Sequence, residues 1–281
     1  MYDCVNVPGY CDKVILECTI SGTVDLDFDV IVLSEIWTTN VEFYGNILPG
    51  YDFHYDLPDD SRVEGVGIYV KNVHKQREML QFKLPNTQSA RVENMWLEIS
   101  NDKNKYIIGG IYRHPNQKIS EFTDLLDKTL SQLSSQKLPR IIAGDINIDL
   151  SKCSVNSDTA SYVNNLLLNN FMPTIIMPTR ITYNTASIID HMYYCQGNTR
   201  SENKLKTIKS GNILSNISDH LPNYTLIINK SREKATRPLV RIFSHKNNEQ
   251  FLNTLNTLNW NEVVYKEMDV DAAYSNFIKV V

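Results

Sequence analysis

Short apolar runs separated by polar turns recur along this 281-residue chain, and the period of each run decides which element it forms. Phe28-Asp29-Val30-Ile31-Val32-Leu33 is nearly all apolar and β-branched, which predicts a buried central strand. Gly65 to Val70, Lys105 to Ile111 and Asn223 to Ile228 predict strands of the same kind, and Leu205 to Lys209 a weaker one. Met95-Trp96-Leu97-Glu98-Ile99 alternates, which predicts a strand wet on one side. Arg140 to Ala143 is a four-residue apolar run that stops at Gly144, so Asp145 and Asn147 are expected in a turn. Ser187 to Tyr194 predicts a strand with Asp190 facing away from Ile189, and Tyr51 to Asp60, rich in Asp, Pro and Tyr, a loop.

Two segments change period. Apolar residues at 119, 122, 125, 126, 130 and 133 follow helical spacing, with Ser120 and Glu121 as the expected start. Asp158 to Asn169 predicts a second helix capped by Asp158, and Phe171 to Pro178 an apolar connector. Val14 to Ile20 fits either a helix or a strand. Many short strands with few helices and no internal repeat predict an α+β domain built on packed sheets. That domain is expected to span 1–229, followed by a linker-like Lys, Ser, Arg and Pro stretch over 230–241 and a polar, mainly helical end.

Composition narrows the class. Apolar residues at 42% and charged residues at 21% are those of a globular protein with a sizeable core, not of a disordered one. Five Cys form no C-x-x-C pair, which disfavours a zinc knuckle or a disulfide framework and favours a reducing compartment. Cys4, Cys11 and Cys18 recur at seven-residue intervals, but no His or fourth Cys accompanies them. There is no long apolar stretch, so no membrane span is expected. The net charge of -4 excludes a protein that coats nucleic acid through bulk charge. Charge is uneven, however: residues 200–246 hold ten Lys or Arg against three acids, which suits either a flank that holds a polyanion or a solvated face.

Acids placed at strand ends have no packing role there, and four such places occur in order together with one polar strand end that lacks an acid. They are Glu35, the Tyr112 to Asn116 segment, Asp145 with Asn147, Asp190, and Asp219 with His220. Strand ends can converge on one sheet edge, giving four carboxylates, a Tyr, a His and two amides. Hard oxygen donors without a Cys or His cluster suit Mg²⁺ or Mn²⁺ better than zinc. Hydrolysis of a phosphodiester needs an activated water and charge relief on the phosphate oxygens. Either Asp145 or His220 can serve as the base, with Asp190 fixing the tautomer of His220. Arg180 can pin a loop or touch a phosphate, and His54, His74, His114, His191 and His245 are expected to be surface or structural.

The ordered set resembles the endonuclease/exonuclease/phosphatase superfamily, and within it the endonuclease domain of jockey-like non-LTR retrotransposons. The resemblance rests on Leu33-Ser34-Glu35-Ile36-Trp37, Ile111-Tyr112-Arg113-His114-Pro115-Asn116, Gly144-Asp145-Ile146-Asn147, Pro178-Thr179-Arg180, Ser187-Ile188-Ile189-Asp190 and Ser218-Asp219-His220-Leu221-Pro222. It spans most of 28–229, and 241–277 resembles the connector to such an element's reverse transcriptase. The resemblance implies a four-layered α/β sandwich of two mainly antiparallel sheets flanked by helices. It implies Mg²⁺, with Mn²⁺ as the alternative, held by Glu35, with Asp219 and Asn6 assisting. Asp145 and Asn147 would handle the water, Asp190 and His220 would form the phosphate-facing pair, and Tyr112, Asn116, Arg113 and Arg180 would contact substrate. Asn6 stands where the family carries an Asn, but without its usual Arg and Ser neighbours, so an incomplete first strand is expected. The implied activity is nicking of DNA to leave a 3′ hydroxyl, by a monomer without an obligate protein partner, in nucleus or cytoplasm. A phosphomonoesterase of the same superfamily and an inactive mobile-element fragment with residual DNA binding are the alternatives.

Overall fold

A computed structural model of the chain describes residues 2–8 (as backbone), 28–36, 41–57, 65–86, 91–101, 104–197, 206–215, 218–229 and 244–280. The expectations for Val14 to Ile20, for Trp37, for the 230–241 linker and for the side chains of Asn6 and Cys4 lie outside the described residues. Two compact units divide the chain, Met1–Arg232 and Glu233–Val281.

In the first unit, strands β1 (Tyr2–Pro8), β2 (Val30–Ser34), β3 (Tyr51–Asp56) and β4 (Val66–Lys71) come first, with the short helix α1 (Val41–Gly45) between β2 and β3. Then follow β5 (Lys75–Glu78), β6 (Val92–Ser100), β7 (Lys105–Arg113), helix α2 (Ile119–Ser134), β8 (Arg140–Asp145) and helix α3 (Ser157–Leu168). The rest are β9 (Met172–Pro173), the β10 (Arg180–Ile181) and β11 (Ala186–Ser187) hairpin, β12 (Asp190–Cys195), β13 (Lys206–Asn212) and β14 (Asn223–Asn229). They form two six-stranded sheets, ordered β13-β14-β1-β2-β4-β3 and β5-β6-β7-β8-β12-β9. Each sheet holds one parallel pair, β1 with β2 and β7 with β8, and its other pairs are antiparallel. A parallel pair needs a crossover, and α2 supplies it between β7 and β8.

Period-two alternation divides the core into layers. Val30 and Val32 of β2 and Ile108 and Tyr112 of β7 point into the space between the sheets, with Val66, Ile68, Leu97 and Met192. Their neighbours Ile107 and Ile111 point the other way, onto Phe122, Leu126, Leu130 and Leu133 of α2 and Tyr162 and Leu166 of α3. Each of these fully buried aliphatic side chains contributes about 2 kcal/mol. On the far face of the first sheet, Ile31 and Leu33 meet Tyr44 of α1, Ile47 and Tyr69. The fold is the expected α+β arrangement of mixed, mainly antiparallel sheets flanked by helices.

Several local expectations need correction. Strand β6 is buried on both faces as far as Leu97 and wet on one face only at Glu98 and Ser100, because Trp96 packs under the helices while Met95, Leu97 and Ile99 face the other sheet. The expected loop from Tyr51 is strand β3, whose Tyr51, Phe53 and Tyr55 alternate with Asp52, His54 and Asp56. Helix α2 starts after Lys118 and not at Ser120, and α3 is capped by Asn156, whose side chain accepts the Thr159 N–H, not by Asp158. The largest change concerns Gly144 and Asp145, which belong to β8 and pair with His191 and Asp190 of β12. Gly144 makes no turn there. Its φ of +145° and its approach to β7 explain it: a Cβ would lie 1.9 Å from the Ile111 carbonyl oxygen.

In the second unit, helix α4 (His245–Thr257), a helical turn at Asn261–Tyr265 and helix α5 (Val270–Val280) follow one another. None of the three contains a buried residue.

Candidate active site

Parallel and antiparallel pairing together bring the chemistry to one edge. The end of β8 lies beside the start of β12, so Asp145 and Asp190 are cross-strand partners. The start of β14 lies beside the end of β1, with Asn223 opposite Asn6, and His220 enters just before that point. A hydrogen bond then links the sheets: the Asp145 N–H donates to the Ser34 hydroxyl at the end of β2, at 3.0 Å. A second link runs from β7, where the Tyr112 hydroxyl donates to Glu35 Oε1 at 3.0 Å. Glu35 itself sits at φ 59°, a left-handed conformation uncommon for a residue with a side chain and a form of strain that collects at functional sites.

Asp145 and Asp190 are 1% and 0% exposed. Two like charges placed opposite each other in a sheet repel. Burial first, and then the charge of Asp190, push the Asp145 carboxyl well above the usual carboxylate range, with Glu35 adding to it and His220 opposing it. The His220 Nδ1–H donates to both Asp190 oxygens, at 2.9 and 3.1 Å. Burial disfavours the imidazolium, but the Asp190 hydrogen bond and the charges of Asp190, Asp145 and Asp219 outweigh it and raise the His220 pKa. Asp145, Asp190 and His220 each offer a ligand atom within 4.8 Å of the others, a cluster able to hold a metal ion. The donor set passes the chemical test for a hard divalent cation: buried carboxylates whose mutual repulsion a cation relieves, with Glu35 close enough to perturb Asp145.

The remaining expected residues are placed unequally. Asn147, at φ 53°, donates its backbone N–H to Asp145 Oδ1 and its Nδ2 to the Arg113 carbonyl. Arg113, expected at the substrate, is turned inward. It is 1% exposed, and its guanidinium donates to the carbonyls of Ile146, Asn147 and Gln117, so that it pins the loop after Asp145. Arg180 is half exposed, and its Nε donates to Asp219 Oδ2 at 2.7 Å. Partial burial works against the Asp219 anion, but the Arg180 hydrogen bond and charge hold its pKa below the usual range. His220 is thus oriented by Asp190, and Asp219 is engaged by Arg180. Asn116 is exposed in the turn after β7, its N–H donating to His114 Nδ1.

Sequence reasoning missed the supporting layer. Ser34 and Thr179, both 0% exposed, each accept a hydrogen bond from the backbone N–H of a buried Asp. His191 is 1% exposed; its Nε2–H donates to the carbonyls of Ile148 and Ile188, and its Nδ1 accepts from the Tyr162 hydroxyl. Burial lowers the His191 pKa to about 4. The signal that could have found His191 is an imidazole next to Asp190 inside an otherwise apolar run; Ser34 and Thr179 leave no such mark.

Two facing sheets thus present one edge that carries Asp145, Asp190, His220 and Glu35. The Endonuclease/Exonuclease/phosphatase family matches residues 13–220, and the chain belongs to that family. No curated protein matches the chain. Among solved structures, the endonuclease domain of TRAS1, a telomere-specific non-LTR retrotransposon, is 13% identical, with 80% of this chain and 97% of that one covered and a TM-score of 0.59. An AP endonuclease from Archaeoglobus fulgidus is 13% identical over 81% of this chain and 99% of its own, at a TM-score of 0.60. A mannosyl-6-phosphatase from Bacteroides thetaiotaomicron is 13% identical over 81% and 100%, at 0.56. At such identities the likeness is one of fold.

Proposed function

We propose that the chain is a divalent-metal-dependent DNA endonuclease of the non-LTR retrotransposon kind. The observation that carries this reading is the buried Asp190, paired with a partly buried His220 and facing Asp145, at the edge where Tyr112 holds Glu35. Next to His220 the β10–β11 hairpin projects, joined to it by the Arg180–His220 bridge and by the Ile181 N–H donating to the Asp219 carbonyl. Its tip presents Tyr183, fully exposed, and its first strand Ile181, half exposed, a surface that suits a duplex better than a sugar phosphate.

In the reaction, the water oxygen bonds to phosphorus and stays on the 5′ phosphate, while the bond to the 3′ oxygen breaks and that oxygen leaves as an alkoxide, taking a proton from solvent to become the 3′ hydroxyl. Asp145 accepts the proton of the water, its carboxylate steered by the Asn147 N–H. His220, kept protonated by Asp190, uses its remaining ring N–H to hold a non-bridging phosphate oxygen. Glu35 would hold the metal, its carboxylate set by Tyr112, beside the Asp145, Asp190 and His220 ligand atoms that lie within 4.8 Å of one another. Mg²⁺ or Mn²⁺ bound there supplies charge relief on the phosphate and leaving oxygens.

Supercoiled plasmid is the direct test. Nicking that needs Mg²⁺, stops with EDTA and disappears in Asp145→Ala and His220→Ala is the expected result. Turnover of sugar or inositol monophosphates with an intact plasmid would replace the reading with a phosphomonoesterase.

A further inference from the structure

Asp190 and His220 come from distant parts of the chain, and one residue touches the backbone on both sides of their contact. Thr179 is 0% exposed. Its hydroxyl accepts the N–H of Ile189 at 3.1 Å and of Asp190 at 3.0 Å. Its carbonyl accepts the N–H of Leu221, the residue after His220, at 2.6 Å, and its own N–H donates to the Ser187 carbonyl at 2.9 Å. Thus the start of β12, the His220 segment and the β10–β11 hairpin all hang on Thr179. The same Asp190 that Thr179 holds is the one that lies opposite Asp145 of β8.

We propose that Thr179 is a positioning residue, whose hydroxyl sets the Asp190 carboxylate against His220 Nδ1 and so against the scissile phosphate. A β-branched side chain is stiff at χ1, which makes the oxygen a fixed post for two amides. Removing it leaves two buried N–H groups without this acceptor at the head of β12, and the strand end must shift to regain partners. A displacement near 1 Å at a reacting pair costs on the order of 100-fold in rate. The effect falls on kcat, because substrate is held by other groups, and Thr179 is too buried to touch it. The catalytic part of the inference rests on the endonuclease reading; the geometric part does not.

Two substitutions separate the hydroxyl from the methyl. Thr179→Val keeps the shape and loses the acceptor, whereas Thr179→Ser keeps the acceptor. In the full chain, histidine ring ¹H–¹⁵N spectra read the first consequence without any need for turnover. The His220 Nδ1–H held by Asp190 is expected as a slowly exchanging, downfield signal in the parent and in Thr179→Ser. In Thr179→Val it should be lost, while the buried His191 ring signal stays. On supercoiled plasmid, kcat should drop on the order of 100-fold in Thr179→Val with KM within about twofold, and Thr179→Ser should restore most of it. A folded Thr179→Val that retains the His220 signal overturns the proposal. Equal damage from Val and Ser also overturns it, since the methyl would then be what matters. If Val does not fold, Thr179→Cys, with its weaker acceptor, should give a partial loss of the signal, and an undiminished signal again overturns it. A parent protein without turnover, whose His220 signal still depends on Thr179, refutes the endonuclease reading and supports the positioning role.

Discussion

At the scale of single residues, charge placement decides what the site can do. His220 gains its proton affinity from Asp190, so in a pH profile of kcat the alkaline limb should lie above the ordinary histidine value of about 6.5. Replacing Asp190 with Asn removes the hydrogen bond and the charge that favour the imidazolium. The alkaline limb should therefore move to lower pH, and an unmoved limb would mean that His220 is not the group that must stay protonated. The acidic limb belongs to Asp145 and should lie above the usual carboxylate range, since burial and Asp190 both favour its neutral form. His191 runs the other way. Its folded pKa, about 4, lies below the ordinary value, so the unfolded chain binds more protons between the two. Its contribution to stability is full above pH 6.5 and falls as pH drops toward 4, by on the order of 3 kcal/mol. Urea midpoints measured across that window should show the loss, and His191→Asn should flatten the slope.

At the scale of elements, strand β8 holds the site together because it touches β7, β12 and, through Ser34, the other sheet. Gly144→Ala would put a Cβ against the Ile111 carbonyl in a conformation that favours glycine, and should destabilise the protein by about 3 kcal/mol or more. Chemical denaturation would check it; a loss below about 1 kcal/mol would mean that β7 yields easily. This element also marks where sequence stops being informative. The apolar run of Arg140 to Ala143 announces the strand, because burial on both faces demands such a run. Gly144 looks like a turn because close approach of a neighbouring strand leaves no mark in the local pattern. The same limit applies to Arg113, whose charge suggests substrate although three carbonyls from other segments surround it. Glu35, Asp145, Asp190 and His220 were legible because acids and an imidazole at strand ends break the apolar pattern. Ser34 and Thr179 were not, since a small hydroxyl fits a buried position without disturbing it. Strand β3 was missed for another reason: its alternation is real, but two Asp and a His weigh toward a loop when composition is read before period.

At the scale of the whole molecule, the described apolar clusters and site side chains belong to the first unit. The three apolar clusters draw their members from residues 28–227, and every site side chain lies before β14. In the second unit, helices α4 and α5 bury no residue, and their described aromatic contact is internal, Trp260 against Phe277 at 6.1 Å between ring centroids. A chain ending at Arg232 should therefore unfold within about 2–4 °C of the full chain, the shift that a change near 1 kcal/mol produces in a domain of this size. Its kcat on plasmid should be unchanged. The truncation also removes Lys234, Arg237, Arg241 and Lys246 from the basic stretch. Every phosphate that those cations neutralise in the full chain adds about 0.9 to the steepness of log K against log salt, so the truncated chain should show a flatter slope wherever they touch DNA. An unchanged slope assigns the four cations to a solvated face, and a flattening of about 2 or more, by the same relation, assigns them to DNA. A fall of about ten degrees or more in the melting temperature, well beyond that 2–4 °C range, would instead show that the sheets depend on the helices that follow them.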